Sequence, residues 1–172
     1  MHRPFLLLQA RNLGDAMLAH EVNCFSTAMG LADGELVAIN VCERLPTPTE
    51  LRSCAAILIG GSGDYSVLDD DGWIRAFVNW VREEIVLSGK PTFASCFGFQ
   101  ILVLAIGGRM IRDPRNMELG TFGLALTPAA VDDPLFKALP QVFDAQVGHK
   151  DRATVLPDGV HALAGSALCP LH

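Results

Sequence analysis

Residues 90–110 read KPTFASCFGFQILVLAIGGRM, a strand pattern and a helix pattern joined by a cysteine. Pro91 to Ser95 predicts a short strand, and the apolar run from Phe97 to Ala105 predicts a helix that begins at once. A side chain on such a tight turn is pushed out at the carboxyl end of the strands, where open α/β sheets bind ligands. Cys96 is therefore the first candidate for a reactive side chain.

Strand and helix patterns alternate before this stretch. Strands are predicted at Pro4–Ala10, Glu35–Cys42 and Ala55–Ile59, helices at Gly14–Gly30 and Asp71–Leu87, and a loop at RLPTPTE (44–50). The first helix carries its predicted apolar stripe on Met17, Leu18, Val22 and Phe25. Alternation at this spacing predicts βαβ units, and so an open, mostly parallel, doubly wound α/β sheet with helices on both faces.

The pattern changes after Gly108. Short β-rich segments separated by Pro and Gly follow, and they predict a small antiparallel decoration of the main sheet. We interpret residues 1–172 as one domain. Because the sequence ends at SALCPLH with no closing strand or helix pattern, we expect the protein to continue beyond His172.

Composition narrows the class of protein. The net charge of −6 disfavours nucleic acid or an anionic membrane as the main partner. No apolar run reaches the roughly 18 residues that a transmembrane helix needs. Five cysteines, an odd number without C-x-x-C spacing, disfavour a zinc site or a disulfide framework and favour a reducing, cytoplasmic location. We expect no metal and no other cofactor.

Cys96 has the surroundings of a nucleophile. A helix that begins at the cysteine directs its free N–H groups and positive dipole end at the thiol, which favours the thiolate. Gly98 has no side chain where neighbouring backbone must pass closely. A buried structural cysteine is the alternative, since free cysteine is often buried. A thiol nucleophile also needs a base, and His149, just past a strand pattern and before a turn, is the best placed of the five histidines.

Four blocks of the sequence resemble class I glutamine amidotransferase domains. ASCFGFQILVLAIGGRM (94–110) resembles the family's nucleophile motif G-x-C-x-G-x-Q, with Ala94 where Gly is common and Phe99 where His is often found. The other three blocks are ILIGGSGDYS (57–66), which is similar to the glycine-rich oxyanion strand, NMELGTFGLALT (116–127), and GHKDRATVLPDGVHALAGSALCP (148–170), which is similar to the catalytic-histidine region. They occur in family order and cover most of residues 55–170.

The resemblance implies a flavodoxin-like fold and a glutaminase reaction. Cys96 would attack the side-chain amide of glutamine, and the backbone N–H groups of Gly61 and Phe97 would bind the oxyanion. His149 would act as the base, and Gln100 would help to shape the glutamine site. The resemblance also implies a glutaminase that acts alone or as the subunit that feeds ammonia to a synthase. An acceptor-specific reaction would need a partner, because no synthase domain is present in this sequence.

The resemblance also implies a triad glutamate in an H-P-E segment, which this sequence does not contain. No carboxylate here matches it: Asp151 belongs to a family-like H-x-D pattern, and we interpret Asp64 and Glu118 as surface carboxylates outside the site. We therefore expect His149 to be poorly ordered or bonded only to backbone or water if the chain ends at His172.

Three functions stay open at this point. The first is a glutaminase-type amidotransferase. The second is a Cys–His hydrolase of other γ-glutamyl compounds, amides or peptides. The third is a non-catalytic regulatory relative, which the missing acid favours, whereas the thiol on a strained bend favours the first two.

Overall fold

The computed structural model describes residues 3–172, which form two compact units. The first runs up to Ala105, and the second from Ile106 to His172. This division follows from internal contacts, and the single domain over 1–172 stays a prediction.

The first unit is built on a four-stranded parallel sheet. Its strands are β1 (Phe5–Gln9), β2 (Leu36–Asn40), β3 (Ile57–Ile59) and β4 (Thr92–Ala94), in the order β2-β1-β3-β4. Leu6, Leu7 and Leu8 are all buried, although successive residues of a strand point to opposite faces. The central strand β1 is therefore covered on both faces, as expected of a doubly wound sheet. The predicted parallel sheet is confirmed.

Five helical segments accompany this sheet. They are α1 (Met17–Met29), α2 (Pro48–Ser53), α3 (Gly72–Trp80), α4 (Val86–Ser88) and α5 (Phe97–Ala105). A π-helical turn, Val81–Ile85, joins α3 to α4, so the helix predicted over Asp71–Leu87 forms one continuous helical stretch. No helix among residues 3–172 has the length and apolar character needed to cross a membrane.

Helix α2 lies where a loop was predicted. The side chain of Thr47 accepts a hydrogen bond from the Glu50 N–H at 3.2 Å, and the Glu50 carboxylate accepts one from the Thr47 N–H at 2.7 Å. This reciprocal capping box, followed by Pro48 in the first turn, starts a helix in a segment rich in turn-forming residues. The loop prediction is confirmed for residues 44–47 and was wrong for residues 48–50, where the local capping signal outweighs the two prolines.

Helix α1 buries a charged residue. The predicted stripe is only partly covered, and Met17 is exposed, whereas Glu21 is the one residue of α1 that is buried. The other three stripe residues, Leu18, Val22 and Phe25, are half-buried, so the predicted face is confirmed except at Met17. A buried carboxylate needs hydrogen-bond partners, and those of Glu21 come from the carboxyl edge of the sheet.

The strands of the second unit are antiparallel. They are β5 (Arg109–Arg112), β6 (Glu118–Leu126), β7 (Val142–His149), β8 (Asp151–Val155) and β9 (Ala164–Gly165). Strand β5 pairs with β8, and β6 lies between β7 and β9. The predicted antiparallel character of this part is confirmed. In the β6–β7 register Glu118 lies opposite His149.

Candidate active site

Cys96 lies on a strained bend between β4 and α5. Its φ of 49° makes it the only non-glycine residue with a positive φ in the described part of the chain. Such a conformation costs free energy in an L-residue and is concentrated at functional sites. The Cys96 carbonyl accepts the Gln100 N–H at 3.0 Å, so the first turn of α5 closes directly on the cysteine. Its side chain is exposed, which excludes the alternative of a buried structural cysteine.

Gly98 is required by the packing of α5 on β3. A Cβ at this position would lie 2.5 Å from the Ile59 carbonyl oxygen and 2.8 Å from the Ile59 Cβ. The Gly98 N–H also donates to the Gly60 carbonyl at 3.1 Å. The expected close backbone approach is confirmed, and it fixes the start of α5 against the end of β3.

The glycine loop after β3 lies beside the cysteine. A Cβ built on Gly61 would lie 3.6 Å from the Cys96 Cβ. Phe97 is buried as the first residue of α5, where backbone N–H groups have no intrahelical acceptor. The sheet order reverses between β1 and β3, and ligands of open α/β sheets bind at the carboxyl end of such a switch point. The two predicted oxyanion donors, Gly61 and Phe97, therefore lie next to Cys96 at the carboxyl end of the parallel strands.

Glu21 is a site residue that the sequence did not indicate. Its Oε1 accepts the Gly61 N–H at 3.2 Å, and its Oε2 accepts from Gln9 Nε2 at 3.0 Å. A Cβ on Gly60 would lie 2.3 Å from Glu21 Oε1, so a side chain at this position would displace the carboxylate. Because Gly61 is 40 residues away in sequence, no local pattern could have predicted this contact.

Gln100 is buried within α5. A buried polar side chain is normally hydrogen-bonded within the protein. Its role in shaping a glutamine site stays a prediction.

The second unit holds His149 in a hydrogen-bonded cluster. His149 Nε2 donates to Glu118 Oε2 at 2.8 Å, and His172 Nε2 donates to the same oxygen at 2.9 Å. Glu118 is only 1% exposed. Two predictions were therefore wrong: Glu118 is not a surface carboxylate, and His149 is not limited to backbone or water partners. The pairing of β6 with β7 brings Glu118 and His149 together, and no sequence motif predicts this pairing.

Glu118 is an ionised carboxylate in this cluster. Burial opposes its ionisation, but hydrogen bonds from Ser166, His149 and His172 outweigh burial and lower the pKa of the Glu118 carboxyl. Asp64, the other carboxylate interpreted as a surface group, is exposed and accepts from Asn12 Nδ2 at 2.8 Å. That interpretation of Asp64 is confirmed.

The Glu118 cluster also has the residue types of a metal site. Glu118, His149, Cys169 and His172 each place one donor atom within 4.8 Å of the others. Both imidazoles already donate to the carboxylate, so hydrogen bonding accounts for the grouping. We assign no ion to it.

Cys96 and His149 belong to different units. The position of Cys96 is fixed by the bend and the glycine loop, and that of His149 by its hydrogen bond to Glu118. Their pairing as nucleophile and base stays a prediction.

The other cysteines differ from Cys96 in exposure or chemistry. Burial raises the pKa of the Cys42 thiol to about 11, and it also raises the pKa of Cys54 and Cys169. Cys24 is exposed, and its Sγ lies 3.4 Å from His20 Nε2. Since only the thiolate is a good nucleophile, Cys24 is the main competitor of Cys96 in a labelling experiment.

Replacing Glu118 with glutamine is expected to lower the free energy of unfolding by about 2 kcal/mol at pH 7, because hydrogen bonds to a buried charge are lost. The folded-state pKa of Glu118 is lowered, so its stabilisation is present above the unfolded pKa of about 4.3 and is lost as pH falls through the folded pKa. Urea unfolding of both proteins at pH 7 and at acidic pH checks this.

The matched control is Asp64→Asn, which neutralises an exposed carboxylate and should change stability by less than about 0.5 kcal/mol. An E118Q deficit that is equally large at acidic pH would contradict the ionised state assigned to Glu118.

Comparison with known proteins identifies the family. Residues 42–168 match the family model of "Glutamine amidotransferase class-I". The chain is 34% identical over 134 residues to a GMP synthase [glutamine-hydrolyzing] of Thermomicrobium roseum, covering 75% of this chain and 23% of that protein. It is 27% identical over 139 residues to one subunit of the GMP synthase [glutamine-hydrolyzing] of Methanoculleus marisnigri, covering 81% of this chain and 67% of that protein. The chain thus spans about a quarter of the first relative.

Solved structures share the fold. A glutamine amido transferase from Methylobacillus flagellatus has a TM-score of 0.76 at 20% identity, covering 100% of this chain and 65% of that one. A putative GMP synthase subunit from Thermoplasma acidophilum has a TM-score of 0.74 at 18% identity, covering 100% of this chain and 78% of that one. The family match, which covers more than half of the chain, agrees with the motifs around Cys96 and Gly98. The chain belongs to the class I glutamine amidotransferase family.

Proposed function

We propose that this protein hydrolyses the side-chain amide of glutamine through a thioester on Cys96. The observation that carries the proposal is the exposed thiol at φ 49°, set between the glycine loop and the start of α5. Membership of the class I family supports the same substrate.

The proposed reaction has two stages. The Cys96 thiolate forms a bond to the amide carbon of glutamine, and the carbonyl electron pair moves onto oxygen, which the N–H groups of Gly61 and Phe97 would stabilise. The intermediate collapses as the C–N bond breaks, and ammonia leaves with a proton from the general acid. Water then attacks the thioester, so glutamate is released and the thiol is restored.

We propose His149 as the base that takes the thiol proton and returns it to ammonia. Glu118 supports this role, because a carboxylate on one ring nitrogen fixes the tautomer and stabilises an imidazolium. Since Nε2 faces Glu118, Nδ1 would be the nitrogen that handles the proton.

The ammonia is proposed to feed a synthase partner. The relatives named GMP synthase support this idea, and one of them is a separate subunit of such a synthase. Hydrolysis of other γ-glutamyl compounds is the second candidate, and competition between glutamine and γ-glutamyl amides separates the two. We also propose a cytoplasmic location, supported by the odd number of cysteines without C-x-x-C spacing.

A glutamine-like chloroketone is expected to label Cys96 before any other thiol. Such a reagent places a ketone in the oxyanion site and alkylates the sulfur, so it reports the proposed site directly. Peptide mapping by mass spectrometry after one equivalent of reagent identifies the modified residue. Excess glutamine should protect Cys96.

Cys24→Ser is the matched control, because Cys24 is the other exposed thiol and its Sγ lies beside His20. The proposal predicts unchanged labelling in this variant. Preferential labelling of Cys24 in the wild type, or no protection by glutamine, would refute it.

A further inference from the structure

The Gly61 N–H donates to Glu21 at the same edge where an oxyanion would need it. Glu21 Oε1 accepts this N–H at 3.2 Å, and the missing side chain of Gly60 makes room for the carboxylate. Glu21 belongs to α1, so the contact joins this helix to the loop beside Cys96.

The carboxylate is held firmly in this position. Gln9 Nε2 donates to Oε2 at 3.0 Å, and the Arg11 guanidinium lies 3.5 Å from Oε1. The Glu21 side chain is 9% exposed. In such a poorly solvated site the interaction between charges is much stronger than in water.

An oxyanion and the Glu21 carboxylate compete for one donor. Two negative oxygens sharing a single N–H repel each other, and a donor committed to a carboxylate contributes less to transition-state stabilisation. Reaction at Cys96 therefore requires the bond from Gly61 to Glu21 to weaken or break.

We propose that Glu21 is a positioning residue that restrains the Gly60–Gly61 loop and withholds the Gly61 N–H from the reaction until the loop shifts. This inference rests on the proposed glutaminase function. The bond from Gly61 to Glu21 is then a restraint that must be released before the amide is hydrolysed.

The first test is Glu21→Gln in the full-length protein. The neutral amide has almost the same shape but is a weaker acceptor and carries no charge. Since a whole oxyanion donor is worth about 100-fold or more in rate, we expect kcat for glutamine to rise at least about threefold, with KM unchanged. Alkylation of Cys96 by iodoacetamide, which forms no oxyanion, should keep its rate.

The matched control is Asp15→Asn. Asp15 lies 4.0 Å from Arg11 and is the other carboxylate beside that guanidinium, and it accepts the Met17 N–H at 2.8 Å. Its kcat should equal that of the wild type, which separates the charge around Arg11 from the bond to Gly61.

A second measurement needs no variant. In ¹⁵N-labelled wild-type protein, the Gly61 amide resonance should shift when a chloroketone adduct forms on Cys96, because the N–H exchanges its acceptor. An unmoved Gly61 resonance in the adduct, or an E21Q variant that is equally fast or slower, overturns the inference alone. A wild type that neither releases ammonia nor labels Cys96 overturns the proposed function, and this inference with it.

Discussion

Replacing Cys96 with alanine is expected to lower glutamine hydrolysis by at least about 10⁴-fold, since the covalent route disappears with the nucleophile. The thiol is exposed, so its loss leaves no buried cavity, and the melting temperature should change little. Ammonia release and thermal unfolding of the two proteins provide the measurement.

Cys96→Gly is an informative control for this prediction. At a φ of 49° an L-residue is strained by about 1 kcal/mol or more, whereas glycine is not. The glycine variant should therefore be inactive and more stable than C96A by about 1 kcal/mol. A stable variant that retains turnover would exclude Cys96 as the nucleophile, and a C96G protein less stable than C96A would exclude the strain.

The sequence predicted the elements that depend on local patterns. Apolar periodicity and a tight turn predicted the strand before Cys96, the helix over Phe97–Ala105 and the need for glycine at position 98. The structure confirms all three. The capping box at Thr47 and Glu50 is also visible in the sequence as a T-x-x-E pattern, which the loop prediction for 44–50 did not use.

What the sequence could not supply were contacts between distant residues. Glu21 falls within the apolar stripe of α1 by its spacing. Its burial is explained by polar partners on other segments of the chain, which are Gln9, Arg11 and Gly61. Glu118 likewise gains its partners through the β6–β7 register and from His172, 54 residues away. The burial and the hydrogen-bond partners of such polar groups depend on tertiary contacts, and the periodicity of a sequence does not predict these contacts.

His149→Gln is expected to lower kcat by about 10² to 10⁴, the usual contribution of a general base, if His149 handles the thiol proton. Glutamine keeps a donor toward Glu118 but cannot accept and release a proton at neutral pH. The variant should therefore lose a small part of its stability and most of its rate, with KM for glutamine nearly unchanged.

His172→Gln is the matched control, because it removes an equivalent partner of the same carboxylate oxygen. The two imidazoles donate at 2.8 and 2.9 Å, and their side chains are 11% and 14% exposed. Loss of either one should cost similar stability, since each leaves Glu118 with one histidine. A structural role of the cluster would therefore lower kcat equally in both variants. A role in proton transfer would confine the large loss to H149Q, and equal losses would assign the base to another residue.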